Sequence, residues 1–95
     1  MLSKSIMVDD KEHCVFCFSS NIEEHHVFFG TANRDKAEKY GLTIPLCTKH
    51  HTGSGDSPHK NRIIDLALKC WGQTVYENKI GTREDFRREF GKSYL

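Results

Sequence analysis

Four potential metal ligands occur as two pairs, and two residues separate the members of each pair. Cys14 and Cys17 form the first pair, and Cys47 and His50 form the second. A turn of this length can direct both ligand atoms at one ion, and zinc prefers four sulfur and nitrogen ligands in a tetrahedron. The spacing therefore predicts a structural zinc site. Ordinary buried cysteines are the alternative, and the polar sequence around both pairs argues against it.

Four further histidines exceed what a structural zinc site can use. They are His25, His26, His51 and His59. Neutral imidazole binds divalent metals, and its pKa near neutrality also makes histidine a general base. A metal held with open positions beside such a base could hydrolyse a phosphodiester. Alternatively, His25 and His26 are strand histidines satisfied by hydrogen bonds. Neighbours on a strand point to opposite faces, so they could share one metal only where the strand ends or bulges.

The composition fits one small domain that needs a source of stability besides its core. The chain has 95 residues, of which 37% are hydrophobic, and its formal net charge is +1. Metal binding would add folding free energy, and so small a charge argues against a nucleic-acid coat held by charge alone. We expect a flexible polar tail over residues 1–11 and a single domain over residues 12–95. Since no apolar run suggests a secretory signal or a membrane span, we expect a cytoplasmic protein whose cysteines bind metal rather than form disulfides.

The segment between the two ligand pairs predicts two short strands and a helix. The apolar residues 27–29 fit a buried strand that ends at a glycine. Residues 33–40 are rich in helix-forming side chains, and Gly41 is a plausible helix stop. Residues 42–46 fit a second strand, and Pro45 places that strand at an edge or an end.

The C-terminal half predicts a loop and two helices. Glycine and small hydroxyl residues indicate a loop over residues 52–56, and Asn61 opens the clearest helix. Its apolar positions recur near the helical period and are Ile63, Ile64, Ala67, Leu68, Cys70, Trp71 and Val75. We therefore place Cys70 in the core rather than among the ligands. Gly72 predicts a bend or an early stop. A capping box that begins at Thr82 starts the last helix, and Gly91 ends it.

The order of these motifs resembles the HNH (ββα-metal) endonucleases, most closely the small phage- and prophage-encoded members, some of which act in recombination. The resembling residues are Cys14, Cys17, residues 24–27, residues 43–51 and His59. They lie within residues 14–62, roughly half the chain. The resemblance implies a small zinc-stabilised α+β domain of the ββα-metal fold with C-terminal helices. It also implies a metal-dependent DNA endonuclease of bacterial or phage origin.

The resemblance also implies roles for the surplus histidines. His25 would bind the catalytic metal, His26 would be the general base, and His51 would face the active site as a catalytic residue and metal ligand. His59 would be a third ligand. The catalytic metal would be Mg²⁺, Mn²⁺, Ni²⁺ or Zn²⁺ beside the structural Zn²⁺. A shifted alignment, with Glu24 as ligand and His25 as base, stays open.

The middle asparagine of the HNH pattern is a departure in this chain. Gly41 occupies its usual place. Asn33 lies on the same connection but farther away, and a role as helix N-cap explains it equally well.

Basic residues beside His59 predict contact with DNA. Lys60 and Arg62 follow that histidine closely and are the candidates for binding phosphates. Three more basic residues near the C-terminus fit a solvated helix face better than a binding surface, and they are Arg87, Arg88 and Lys92. The main rival function is a non-catalytic zinc module that binds nucleic acid or protein. A zinc-dependent nucleobase deaminase is a weaker rival, because the P-C-x-x-C spacing of those enzymes is missing.

Overall fold

The computed structural model describes residues 4–53, 55 and 57–95 and shows a small α+β protein. The elements in chain order are β1 (Ile22–His26), α1 (Asn33–Tyr40), β2 (Thr43–Cys47), a π-helical turn (Lys49–Gly53), α2 (Arg62–Lys79) and α3 (Arg83–Phe90). Part of the predicted loop over residues 52–56 lies in the π-helical turn, whereas Ser54 and Asp56 lie outside the described residues. None of the helices in the described ranges is long and apolar enough to cross a membrane.

Strands β1 and β2 form a two-stranded antiparallel sheet in which His25 pairs with Ile44 and His26 with Thr43. The carbonyl of Pro45 accepts a hydrogen bond from the backbone N–H of Val15, 3.1 Å away. That carbonyl points away from β1, so the missing N–H of Pro45 removes no bond from the ladder. The predicted edge position of Pro45 is confirmed, and the strand begins and ends one residue later than expected.

The prediction of a strand over residues 27–29 is wrong. β1 ends at His26, and the following residues Val27 and Phe28 are fully buried outside any strand. A short apolar run reports burial without reporting conformation, so hydrophobicity alone could not place the strand. β1 instead ends with His25 and His26, whose side chains point to opposite faces of the sheet.

The predicted early stop at Gly72 is wrong, because α2 continues through it to Lys79. A Cβ atom at this position would lie 2.9 Å from Cε2 of Phe28 and 3.2 Å from Cγ1 of Val27. Glycine is therefore required for the close approach of the helix to the residues that follow β1. Helix α2 starts as predicted, since the side chain of Asn61 accepts hydrogen bonds from the backbone N–H groups of Ile63 and Ile64.

The buried face of α2 lies beside the one that the apolar pattern predicted. Ile63 is 79% exposed. The buried positions are Asp65, Leu68, Gly72, Gln73 and Tyr76. The close approach at Gly72 fixes which stripe of the helix meets the core, and hydropathy does not report that contact. Cys70 is half-buried and its thiol donates to the carbonyl of Tyr94 at 3.1 Å, away from the groups of metal ligands.

Helices α1 and α3 largely match their predictions. Gly41 ends α1 in the left-handed conformation with φ of 74°, and its N–H caps the helix. The N-cap is Ala32 rather than Asn33, and no side chain caps that end. The capping box of α3 is present, with Thr82 and Asp85 bonding reciprocally.

An aromatic cluster joins α3 to α2 and to the residues after β1. The ring centroid of Phe86 lies 4.7 Å from that of Phe90, 5.1 Å from that of Phe28 and 5.3 Å from that of Tyr76. This core supports the end of β1, where His25 and His26 lie.

Part of the segment expected as a tail packs on the sheet. Ser5 and Met7 are buried, and the hydroxyl of Ser5 donates to the carbonyl of Thr43 at 2.6 Å. The N–H of Ile6 donates to the carbonyl of Gly41 at 2.9 Å. A boundary at residue 12 therefore cuts through packed structure, while residues 1–3 lie outside the described residues.

Candidate metal centres

The two predicted ligand pairs meet and form a group that could hold a metal ion. The sulfur atoms of Cys17 and Cys47 lie 3.6 Å apart, and Nδ1 of His50 lies 3.2 Å from the sulfur of Cys47 and 3.8 Å from that of Cys14. A tetrahedral zinc ion would set sulfur–sulfur separations of about 3.8 Å and sulfur–nitrogen separations of about 3.5 Å. The four ligand atoms therefore already have nearly the spacing that such an ion requires.

Local backbone structure prepares Cys14 as a ligand. The N–H of Phe18 donates to the carbonyl of Cys14 at 2.9 Å, which closes the turn between the first two cysteines. Burial raises the pKa of the Cys14 thiol, but hydrogen bonds from the backbone of Cys47, Phe16 and Cys17 outweigh it and lower the pKa to about 7. The turn thus favours the thiolate, which is the form that binds a metal.

A second group of potential ligands consists of His25, His51 and His59, from β1, the π-helical turn and the segment before α2. Their ring centroids lie 5.0 to 5.2 Å apart. A nitrogen atom from each ring lies within 4.8 Å of the others. Three residues far apart in the sequence therefore converge on one point, as the resemblance implied.

His25 is the unusual member of this group because it is 0% exposed and neither ring nitrogen has a hydrogen-bond partner within the described residues. Burial and, to a smaller extent, the nearby rings of His51 and His59 together lower the pKa of His25 to about 3. The ring is therefore neutral at neutral pH, which is the form that coordinates a metal. A buried polar group without a hydrogen-bond partner is rare in proteins, and the two ring nitrogens of His25 are suited to bind a ligand.

Glu23 supports the second group, and the sequence analysis missed it. Its Oε1 atom lies 2.8 Å from Nδ1 of His51. Glu23 is two residues before His25, so both side chains lie on the same face of β1. A carboxylate that holds Nδ1–H leaves Nε2 of His51 for a metal, an arrangement typical of histidine ligands. The two-residue spacing from His25 could have indicated this role.

His26 lies on the other face of β1, together with Glu24. It is 8% exposed, and its Nε2 atom lies 3.4 Å from Oε1 of Glu38 and 3.8 Å from Oε1 of Glu24. These three residues form a further group of potential ligands. His25 and His26 thus belong to different groups, as alternation along a strand requires, and Glu38 on α1 is a neighbour that the sequence did not reveal.

Both faces of β1 nevertheless open into one cavity, because the strand ends there. The cavity has a volume of about 250 Å³, and its lining residues are Glu24, His25, His26, Phe29, Arg34, His51 and His59. Lys60 and Arg62 do not line it. They line a neighbouring cavity of about 370 Å³ that shares Phe29 and His59 with the first.

The two candidate sites differ in what they leave open. The four ligands Cys14, Cys17, Cys47 and His50 would close a tetrahedral coordination sphere, which is typical of a structural zinc site. The three histidines of the second group would leave at least one position free for water or substrate, which is typical of a catalytic site. Asn33 does not line the histidine cavity, whereas the next residue, Arg34, does.

Comparison with protein-family models, with curated proteins and with solved structures finds no match for this chain.

Proposed function

We propose that this protein is a metal-dependent DNA endonuclease of the HNH class, built on a ββα-metal domain. The observation that carries the proposal is His25, a fully buried imidazole that faces His51 and His59 and has no hydrogen-bond partner among the residues that the structure describes. β1, the π-helical turn and the segment before α2 bring these three residues together. Binding of a divalent ion would explain why the three histidines converge, whereas a module whose only metal is structural has no use for them.

Zinc is the ion we assign to Cys14, Cys17, Cys47 and His50. Three sulfur ligands and one imidazole favour Zn²⁺ over the hard cations. The zinc would contribute folding free energy to a chain whose core is small. No disulfide joins any of the four cysteines, and the three that would bind zinc as thiolates suit the reducing environment of the cytoplasm.

The catalytic ion would be held by His25, His51 and His59. When bound, a divalent metal such as Mg²⁺, Mn²⁺, Ni²⁺ or Zn²⁺ stabilises negative charge on the phosphate and on the leaving oxygen. Glu23 would hold the ring of His51 in the orientation that presents Nε2. This ligand set argues against the shifted alignment, in which His25 would be the base, because the His25 ring faces the other two histidines.

His26 is the general base in this proposal. In the tautomer that donates Nε2–H to Glu38, the Nδ1 atom is free to accept a proton from water. The water oxygen forms a bond to phosphorus while the bond to the 3′ oxygen breaks, and that oxygen takes a proton from solvent. The carboxylates of Glu24 and Glu38 would stabilise the imidazolium that His26 becomes.

DNA would extend from the histidine cavity into the neighbouring one. Lys60 and Arg62 are exposed there and would bind phosphates that flank the scissile bond. Contacts of this kind position the backbone without reading bases, so we expect little sequence specificity. Arg88 pairs with Asp85 at 2.9 Å, which supports the interpretation of the C-terminal basic residues as a solvated face.

The test is plasmid cleavage with each of the four metals added separately. His26→Ala should lower the cleavage rate by roughly 10²–10⁴-fold, because a general base acts on the attacking water. The structural zinc and the affinity for DNA should stay close to the parent values. His51→Ala should weaken metal binding instead, so its defect should shrink as metal is raised, whereas no metal concentration replaces a proton acceptor.

The matched control is His13→Ala, which removes a partly exposed histidine paired with Asp10 and should leave cleavage unchanged. The rival zinc module needs neither His26 nor His51. It would replace the nuclease proposal if the parent cuts no DNA with any of the four metals, yet binds DNA equally well with both histidines removed.

A further inference from the structure

Arg34 differs from the other basic residues because it lines the histidine cavity. It is the only lysine or arginine among the residues that form that lining. Its position is set by the start of α1, where its backbone N–H donates to the carbonyl of Gly30 at 3.0 Å. The turn at Gly30 follows directly on Phe29, which also lines the cavity. The backbone thus places an exposed guanidinium beside His25 and its partners.

No ion pair within the described ranges involves Arg34. Other cations are paired, such as Lys69 with Asp65 and Arg83 with Glu77. Glu38 lies four residues after Arg34 on the same helix, a spacing that permits an ion pair. Its carboxylate lies instead 3.4 Å from Nε2 of His26. The guanidinium of Arg34 therefore keeps its charge and its donors available for a ligand.

The charges around the cavity favour an anion only when a cation is also present. Glu24 lines the cavity, Glu38 contacts His26 from α1 and Glu23 contacts His51, so three carboxylates lie close to the site. A divalent ion at the three histidines and the guanidinium of Arg34 together carry three positive charges, which offset these three negative ones. A phosphodiester, which carries one negative charge, therefore meets a repulsive site without the metal and a neutral one with it. The metal and Arg34 would therefore act together on the same group.

We propose that Arg34 binds the scissile phosphate, an inference that rests on the proposed function of the three-histidine site. The planar guanidinium can donate two parallel hydrogen bonds to two phosphate oxygens. Negative charge on those oxygens changes as the phosphoryl group passes through its transition state, so a preorganised cationic donor accelerates the reaction as well as binding the substrate. Lys60 and Arg62 line the neighbouring cavity and bind the flanking phosphates. Arg34 binds the phosphate that reacts.

The first experiment compares Arg34→Ala and Arg34→Lys in single-turnover cleavage with saturating metal. Arg34→Ala should lower the rate constant by roughly 10²–10³-fold, the loss typical of one preorganised donor. Arg34→Lys should recover part of it, since lysine keeps the charge but not the paired donors. Lys39→Ala is the matched control, because Lys39 is exposed on the same helix and does not line the cavity. Its rate constant should be that of the parent.

The rate constant should fall more than the affinity for DNA, because most phosphate contacts of the substrate lie elsewhere. Arg34→Ala should bind Mn²⁺ with the affinity of the parent, whereas a variant with a misfolded site would not. If the parent is active and Arg34→Ala cleaves at the parental rate, the assignment of Arg34 is wrong while the nuclease proposal stands.

A second experiment does not depend on cleavage. Dimethyl phosphate, a phosphodiester monoanion, is titrated into the Mn²⁺-loaded protein, and paramagnetic broadening of its ³¹P signal reports binding beside the metal. We expect strong broadening with the parent and a several-fold smaller effect with Arg34→Ala. If the parent cuts no DNA but shows this Arg34-dependent broadening, the nuclease proposal fails and the phosphate site stands. Equal broadening in both proteins, or none in the parent, overturns the phosphate site.

Discussion

Replacing His25 by leucine should stabilise the protein while destroying the site that histidine serves. His25 is fully buried, and neither of its ring nitrogens has a partner within the described residues. Each buried polar group without a hydrogen bond costs about 1–3 kcal/mol, so the two nitrogens together cost about 2–6 kcal/mol. Leucine has a similar volume, and such a swap costs less than about 1.5 kcal/mol in repacking. We therefore expect His25→Leu to be more stable than the parent by roughly 1–4 kcal/mol when only the structural zinc is bound.

The assay is urea unfolding followed by circular dichroism. A chelator of intermediate strength should first empty the histidine site and leave the thiolate site filled, which elemental analysis would verify as one zinc per chain. Added metal at 100 times its dissociation constant should then stabilise the parent by about 2.7 kcal/mol and the His25→Leu variant not at all. Cleavage by the variant should be absent at every metal concentration.

His13→Leu is the matched control for this experiment, because His13 is only partly buried and pairs with Asp10. Its stability should stay within about 0.5 kcal/mol of the parent. The reasoning about His25 is refuted if His25→Leu is less stable than the parent after the histidine site has been emptied. That result would mean that the ring nitrogens of His25 make hydrogen bonds in the folded protein.

Two further predictions concern the structural zinc and the aromatic core. Cys47→Ser should lose one zinc equivalent and most of the folded structure, because the Cys47 sulfur lies within 3.6 Å of two other ligand atoms. A well-folded variant that contains no zinc by elemental analysis would contradict this prediction. Phe86→Ala should destabilise the protein by about 3–5 kcal/mol in urea unfolding, since the Phe86 ring is fully buried among other rings. Phe18→Ala, at a position 75% exposed, should change stability by less than about 0.5 kcal/mol, and equal losses in the two variants would show that burial does not set the cost.

The zinc ligands could be predicted from the sequence because the spacing within each pair determines how its two ligand atoms are placed. Two residues between the ligands of a pair define a turn. The only further requirement is that the two pairs lie close together, as the sulfur atoms of Cys17 and Cys47 do. The convergence of His25, His51 and His59 could not be worked out from spacing, because it depends on how β1, the π-helical turn and the segment before α2 pack. The resemblance to a known family supplied that grouping.

The partners of these ligands were beyond local patterns. Glu38 approaches His26 from α1, and Arg34 reaches the cavity from the same helix, so both contacts depend on how α1 lies against the sheet. The same reason explains the misplaced face of α2, where Gly72 sets the contact with Phe28. Hydropathy reports which residues prefer burial, but it does not report which of two adjacent stripes of a helix meets the core.

The π-helical turn Lys49–Gly53 holds two adjacent histidines that belong to different groups, His50 with the cysteines and His51 with His25 and His59. Thermodynamic linkage makes their affinities reciprocal: an ion that holds this turn in place through one histidine favours binding through the other, and by the same factor in both directions. An oxidant that joins two of the three cysteine ligands in a disulfide would then weaken metal binding at the histidine cavity without altering any residue that lines it.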